Sequence, residues 1–412
     1  MEETVRLYDL QPYQTEFDAA VLVSRPSTDP GKAEVILSAT LFFPEEGGQT
    51  PDRGTLAGFP VCDVQISGDR VITHVLQVGA GKEDAALAGS LAPGQTVHGV
   101  LDWPHRYSNM QNHSGEHILS GLLHQIWGYE NVGFRLSDNT VTLDTSGLLS
   151  SEDLLLLEEK ANQAVWSNAR ILCEYPDASA LLTMDYRSKK AIDGAVRIVT
   201  IEGIDVCACC APHVRQTGEI GLIKILGAEK SKDSTRLFIA CGERALRAIQ
   251  QQQKQLEEAS RLMNEPQDNV AGGVQRLLHE ISGLKEACRE KEQQYVEARL
   301  DTIRQKAAEQ EDTPEDLFLF ESSLSVLSQR SFMNSLCDMG WRYAGVFVGD
   351  EESGWKYLIG GRGSDARLVN QRLREAFGAR GGGKPEMVQG TVIAPEEEIR
   401  RILARPFSGG ES

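Results

Sequence analysis

Asn109-Met-Gln-Asn-His-Ser-Gly-Glu-His-Ile-Leu-Ser-Gly-Leu-Leu-His-Gln-Ile-Trp127 is the stretch in which the chain changes its hydrophobic period. Ile118, Leu119, Leu122, Leu123 and Ile126 recur at helical steps, which predicts a helix from about Asn109 to Trp127 with one apolar side. On its N-terminal side lie residues 35–43 (VILSATLFF), 61–66 (VCDVQI), 70–78 (RVITHVLQV) and 96–103 (TVHGVLDW). These runs are rich in β-branched residues and separated by Gly, Pro and Asp, so they read as short strands of a small barrel or sandwich over residues 1–100. Phe43-Pro-Glu-Glu-Gly-Gly-Gln49 falls among them as a glycine turn with polar side chains.

On its C-terminal side, strand-like and helical segments alternate to roughly Gly242, a mixed α+β pattern that includes a helix over 152–166. Residues 243–312 are a long polar helical region, expected to be interrupted near Pro266 and at Gly272-Gly273. From Val270 a heptad runs through Val274, Leu277, Ile281, Leu284 and Cys288 to Tyr295 and Ala298, broken at Lys291. Alternating steps of four and three place these residues in one seam. Such a seam pairs with a second copy, making a homodimer through 270–298, or packs on the chain's own domains. Thr313-Pro314 ends the region. Residues 315–412 then alternate strands (343–349, 355–361, 388–394) with helices around 324–339, 366–377 and 395–404, with Gly381-Gly382-Gly383 after the second helix.

The expected fold class is therefore α+β in four parts. These are an N-terminal small β-barrel (1–100), an α+β core (101–247), a helical or coiled-coil linker (248–312) and a C-terminal α/β globular domain (313–412).

At 412 residues the chain is too long for one core. No signal-peptide core opens it and no apolar run is long enough to span a bilayer, so a cytoplasmic protein is expected. Eight cysteines, three of them at Cys207, Cys209 and Cys210, suggest a metal site in a reducing compartment rather than a disulfide framework. A net charge of −18 argues against a general nucleic-acid coat. A local basic stretch at 361–384 (Arg362, Arg367, Arg372, Arg374, Arg380, Lys384) still allows one RNA to be gripped, although a solvated helix face has the same composition.

His113-Ser-Gly-Glu-His117 places two imidazoles at i and i+4, on one side of a helix, where both can reach one ion. Cys209-Cys-Ala-Pro-His213 adds a thiolate and a third imidazole, and a Cys–His₃ set suits zinc. Cys207 and Cys210 remain alternative sulfur donors. If all four residues ligate permanently the zinc is structural; catalysis needs an open position. Glu116, near the same helix side, is a candidate to position a water. The pentapeptide also fits the inverted zinc-protease signature, with Glu116 as general base, but that enzyme needs a carboxylate as third ligand where this chain offers a Cys–His motif.

The sequence resembles the alanyl-tRNA editing proteins of the AlaX type, free-standing relatives of the editing and C-terminal parts of alanyl-tRNA synthetase. The similarity covers nearly the whole chain. It rests on the glycine turn with Asp52 and Gly54, on Asp102-Trp103 and Arg106, and on the HxxxH and CxxxH motifs. It continues through Val214, Thr217-Gly-Glu-Ile-Gly221, Arg236 and the Gly378–Gln389 glycine-rich stretch, of a type shared with DHH phosphoesterases. The resemblance implies zinc held by His113, His117, Cys209 and His213. It also implies hydrolysis of serine or glycine wrongly esterified to tRNA(Ala), in trans on tRNA charged elsewhere. Gln49 would lie towards the site or its tRNA approach, Ser114 is a candidate partner for the serine hydroxyl, and Arg236, Arg362, Arg380 and Lys384 would contact tRNA. A tRNA-binding protein with a purely structural zinc is the non-enzymatic alternative. The chain departs from the family's Cys-Gly-Gly-Thr-His with Cys-Cys-Ala-Pro-His, where Pro212 removes a hydroxyl and a backbone N–H. Its glycine turn is one glycine short.

Overall fold

The computed structural model describes residues 3–68, 70–188, 195–309 and 315–407, so Thr313-Pro314 lies outside the described residues. The chain divides into two compact units, Met1–Glu258 and Ala259–Ser412.

In the first unit, six strands close into a barrel in the order Glu16–Pro26, Lys32–Leu37, Ile72–Gln77, Phe59–Ile66, Gly54–Leu56, Thr96–Leu101. All neighbours are antiparallel. Alternate residues point inward, so Phe17, Val35, Leu37, Leu56, Val64, Ile72, Leu76 and Val97 fill the interior. At Gly99 a Cβ would come within 2.3 Å of the Phe17 ring, and the strand passes there only because it has none. Of the barrel and the sandwich that the strand pattern allowed, the chain adopts the closed barrel.

The next helix runs Trp103–Trp127 and starts six residues earlier than its apolar period indicates. Asp102 caps it by accepting from the His105 N–H (3.1 Å), and Pro104 fits a first turn that needs no N–H. Gly128, at φ 68°, ends it. The expectation of one apolar side is too narrow, because almost every residue from Asn109 to Leu123 is buried. One reason is two glycines that admit close neighbours. A Cβ on Gly115 would meet Cys241 Sγ at 2.3 Å, and one on Gly121 would meet the Ile204 carbonyl at 2.3 Å. Cys241 ends the strand Thr235–Cys241 of a four-stranded antiparallel sheet, with Ile223–Lys230, Val141–Thr145 and Asn131–Leu136. Ile204 lies in the turn before Asp205–Ala208, in a three-stranded sheet with Ile198–Ile201 and Ile171–Glu174. The helix is thus held between two sheets. The 152–166 helix forms as Ser151–Trp166, started by a Ser150/Asp153 capping box.

A buried ion pair ties this helix to the glycine turn of the barrel. The Arg106 guanidinium donates to both Asp52 oxygens, to the Leu41 carbonyl (2.5 Å) and to the Pro12 carbonyl (3.2 Å). Asp52 also accepts from the Phe43 N–H at 2.6 Å. Neither charged side chain is exposed.

In the second unit, the helix Val270–Glu309 runs for 40 residues and passes through Gly272-Gly273. The expected interruption there does not occur; the break lies before it, at Asn264–Asn269 around Pro266. Gly273 serves a close approach instead, since a Cβ would sit 2.6 Å from Glu265 Cγ. The five-stranded sheet has the order Asp316–Glu321, Tyr343–Asp350, Gly354–Gly361, Met387–Val392, Arg380–Lys384, with only the first pair parallel. One face packs on Val326–Asp338 and on Val296 and Leu300 of the long helix. The other packs on Arg367–Phe377 and Glu396–Leu403. The triple glycine expected after a helix forms the edge strand Arg380–Lys384. Among the described residues, no helix is long and apolar enough to cross a membrane.

Candidate metal centre

His113, His117, Cys209 and His213 come together from two segments. The helix supplies the first two on adjacent turns, and the loop after strand Asp205–Ala208 supplies the others. One donor atom from each lies within 4.8 Å of the others, and the three histidines are buried. The ring centroids are 4.7–5.6 Å apart. His113 Nε2 lies 3.5 Å and His213 Nε2 3.4 Å from Cys209 Sγ.

Each imidazole is held from behind by its other nitrogen. His113 Nδ1 is 2.8 Å from Gln49 Oε1, His117 Nδ1 is 2.9 Å from Asp205 Oδ2, and His213 Nδ1 is 3.1 Å from Ser114 Oγ. Gln49 Oε1 and the Asp205 carboxylate accept, so Nδ1 of His113 and His117 donates to them and Nε2 of each ring is turned towards the site. Gln49 and Ser114, expected at the substrate, therefore stand behind the rings, both fully buried. Ser114 Oγ also accepts from the Val214 N–H at 3.3 Å, which anchors the loop carrying His213.

Of the three clustered sulfurs, Cys209 is the one that faces the histidines. Burial would push its thiol up, but the close rings of His113 and His213 and the hydrogen bonds to it overcome this and hold it well below the usual thiol range. Burial pushes Cys207 up to about 11, and Cys207 Sγ faces the Ala208 carbonyl. Burial, the Cys209 charge and Glu46 push Cys210 well up. His213 falls to about 3 through burial, so its ring is neutral. His117 is the exception: burial lowers it, but its hydrogen bonds to Asp205 and Cys209 raise it well above the usual imidazole value. A second group, His117, Asp205 and Cys207, is also close enough to share an ion. Its carboxylate is already gripped by Arg187 and its thiol is protonated, which disfavours it. Three neutral-capable imidazoles and one thiolate, buried and convergent, fit a zinc ion.

Several residues here carry no local sequence signal. Arg187 donates from Nε (2.8 Å) and Nη2 (2.9 Å) to Asp205. Arg197 donates from Nη1 to the carbonyls of Cys209 (3.0 Å) and Ala211 (2.8 Å), clamping the ligand loop. Asp205 could have been noticed as an acidic residue in the register of a buried strand. The two arginines could not.

Glu116 is buried on the floor of a cavity of about 490 Å³ that is also lined by His113, His117 and Cys209. It accepts from Ser120 Oγ (2.5 Å) and from Asn131 Nδ2. The walls include Glu46, Gly47 and Gly48 of the glycine turn, Phe134 and Cys210. Arg236 lies elsewhere, exposed and paired with Asp144 (2.7 and 2.8 Å). In the second unit, Arg362 donates to the carbonyls of Cys337 and Asp338, while Arg380 and Lys384 are exposed on the edge strand. Arg367, Arg372 and Arg374 of the basic stretch are engaged locally, on Asp365, the Arg405 carbonyl and the Gly381 carbonyl.

Residues 196–238, which include Cys209 and His213, match the family model described as the threonyl and alanyl tRNA synthetase second additional domain. The chain is 28% identical over 415 residues to the alanyl-tRNA editing protein Aarsd1 of Danio rerio, covering 95% of each. It is 32% identical over 250 residues to the alanyl-tRNA editing protein AlaX-L of Pyrococcus horikoshii, covering 58% of this chain and 59% of that one. Against the alanine–tRNA ligase of Methanothrix thermoacetophila it is 28% identical, over 94% of this chain but 42% of the ligase. By motifs in order along nearly its whole length, and by these similarities, the chain is a homologue of the alanyl-tRNA editing proteins.

Proposed function

We propose that the chain is a zinc-dependent aminoacyl-tRNA hydrolase that removes serine or glycine wrongly esterified to tRNA(Ala), acting in the cytoplasm on tRNA charged by another enzyme. One observation carries this reading. Three imidazoles and one thiolate converge, each ring backed by a hydrogen bond, and two of the rings (His113, His117) and the sulfur line a cavity of a size that accepts a small aminoacyl group and its nucleoside. The homology to alanyl-tRNA editing proteins supplies the substrate class.

His113, His117, Cys209 and His213 would hold the zinc, which when bound polarises an ester carbonyl or acidifies a water. Glu116, fixed by Ser120 and Asn131 and facing the cavity, positions the attacking water and takes its proton. Rejecting alanine while accepting serine needs a polar partner for one hydroxyl. Ser114 is engaged behind His213, which leaves as partners the zinc itself and the polar groups lining the cavity, Glu46, Glu116 and Cys210 among them.

Further RNA contacts fall to Arg380 and Lys384 on the exposed edge strand, with Arg362 and Arg236 as weaker contributors because both already have partners. A second copy of the chain pairs along Val274, Leu277, Ile281 and Leu284, which are 39–64% exposed on the long helix.

The test is a deacylation panel with alanine tRNA charged with Ser, Gly or Ala. Serine or glycine is released, alanine is spared, and His117→Ala abolishes release. A zinc-loaded protein that binds the RNA and releases nothing identifies a tRNA-binding protein with a structural metal.

A further inference from the structure

We infer that Arg6 and Arg70 form a phosphodiester-binding rim at the mouth of the cavity, holding the backbone of the RNA end whose terminal nucleoside carries the ester. This rests on the deacylase reading and adds to it how the substrate is gripped. In a chain of net charge −18, the cavity lining holds, among the described residues, four arginines, Arg6, Arg70, Arg187 and Arg197, against two glutamates, Glu46 and Glu116. Two of the four are committed within the protein. Arg187 is spread across Asp205, and Arg197 is almost fully buried with its Nη1 on two loop carbonyls.

Arg6 and Arg70 differ. Their side chains are 20% and 37% exposed, and each makes one long ion pair, Arg6 with Asp9 at 3.5 Å and Arg70 with Glu3 at 3.4 Å. Asp9 is shared as well, accepting from Tyr175 Oη at 2.8 Å and lying 3.7 Å from Arg197. One carboxylate thus faces two guanidiniums, so neither Arg6 nor Arg197 has Asp9 to itself.

The backbone delivers both residues to the same place. Strand Val5–Arg6 pairs in parallel with Ala39–Thr40, which follows the barrel strand Lys32–Leu37. The Thr4 N–H donates to the Arg70 carbonyl (3.4 Å), and the Ile72 N–H to Thr4 Oγ1 (3.1 Å), so the segment carrying Arg6 lies along Arg70–Ile72. Arg70 itself takes a left-handed conformation, φ 56°, which a long side chain rarely adopts. The fold tolerates it at a residue whose side chain reaches the cavity. Phosphodiesters are the anions such a rim suits, since guanidinium offers them paired donors and a permanent charge.

The test uses the full chain with Arg6→Gln and Arg70→Asn, the latter because asparagine accepts the left-handed backbone. Two substrates are compared: the mischarged tRNA, and the 3′-aminoacyl ester of the terminal nucleoside without phosphate. On the tRNA, kcat/KM falls about tenfold for each substitution. On the nucleoside ester the loss is several-fold smaller, and the slope of log kcat/KM against log salt becomes shallower by about one per arginine. Arg70→Lys recovers part of the loss on the tRNA. Equal losses on both substrates, or an unchanged salt slope, overturn the proposal. If the wild-type chain hydrolyses neither substrate, the deacylase reading fails. The rim is then judged by anisotropy with a short single-stranded RNA ending in CCA, where undiminished binding by both variants overturns it.

Discussion

His117 Nδ1 and Asp205 Oδ2 lie 2.9 Å apart in the protein interior, and Arg187 holds the same carboxylate through two nitrogens. The 88 residues that separate His117 from Asp205 in sequence are closed by packing of the Trp103–Trp127 helix against the three-stranded sheet. The contact settles which face of the ring turns towards Cys209, and His117 reaches the sulfur only while Asp205 stays in place.

Asp205→Asn should lower zinc affinity by about 10- to 100-fold, the usual cost of losing the partner that orients a ligating histidine. Competition with a chromophoric chelator measures it. Unchanged affinity would show that the bond orients nothing.

Asp52→Ala should cost roughly 3–5 kcal/mol of stability, because it leaves the Arg106 guanidinium charged and unpaired in the interior. Urea unfolding of the full chain reads this. A loss under 1 kcal/mol would mean that the guanidinium finds water or another acceptor.

Gly121→Ala should destabilise by about 1–3 kcal/mol, since the new methyl would meet the Ile204 carbonyl at 2.3 Å and overpack the helix against the sheet. The strain falls one residue from Asp205, so zinc affinity should drop with the melting temperature. A drop in melting temperature alone would separate packing from metal binding.

His74 gives stability a pH dependence with a definite sign. It is wholly buried between Thr40 and the Val35 carbonyl, and burial lowers it to about 4. The unfolded chain takes up the proton near pH 6.5, the folded chain only near 4. The neutral ring's contribution is therefore complete above pH 6.5 and is lost as pH falls towards 4, by roughly 3 kcal/mol in total. His74→Gln should flatten unfolding free energy over that window; an unflattened curve would place the titration elsewhere.

The exposed heptad predicts a parallel, in-register pair, in which Glu280 of one copy faces Lys285 of the other and the two exposed Cys288 side chains meet. Mild oxidation should give a covalent dimer that Cys288→Ser prevents, and Ile281→Glu should shift sedimentation towards monomer. A wild-type chain that sediments as a monomer at tens of micromolar, on the order of a weak coiled coil's dissociation constant, would rule the pair out.

Much of this protein was legible in its sequence because much of it is local. A period of two marks the barrel strands, and steps of three and four mark the Trp103–Trp127 and Val270–Glu309 helices. The same i, i+4 geometry puts His113 beside His117. The strand Asp316–Glu321 escaped notice because Asp-Leu-Phe-Leu-Phe-Glu is too short a run to separate strand from helix. The glycines at 272–273 read as a break, whereas the helix passes through them and Gly273 permits a close approach; those at 381–383, which carry no strand signal of their own, form an edge strand.

What the sequence determined by itself was the donor types and the pairing of His113 with His117, since residues four apart on one helix need nothing else to be neighbours. Only the tertiary structure decided that Cys209, rather than Cys207 or Cys210, faces the three rings, and that Gln49, Ser114 and Asp205 stand behind them. Those contacts join residues 64 to 99 positions apart. No periodicity encodes such a distance; it is closed by packing the Trp103–Trp127 helix between two sheets, with Gly115 and Gly121 giving the room.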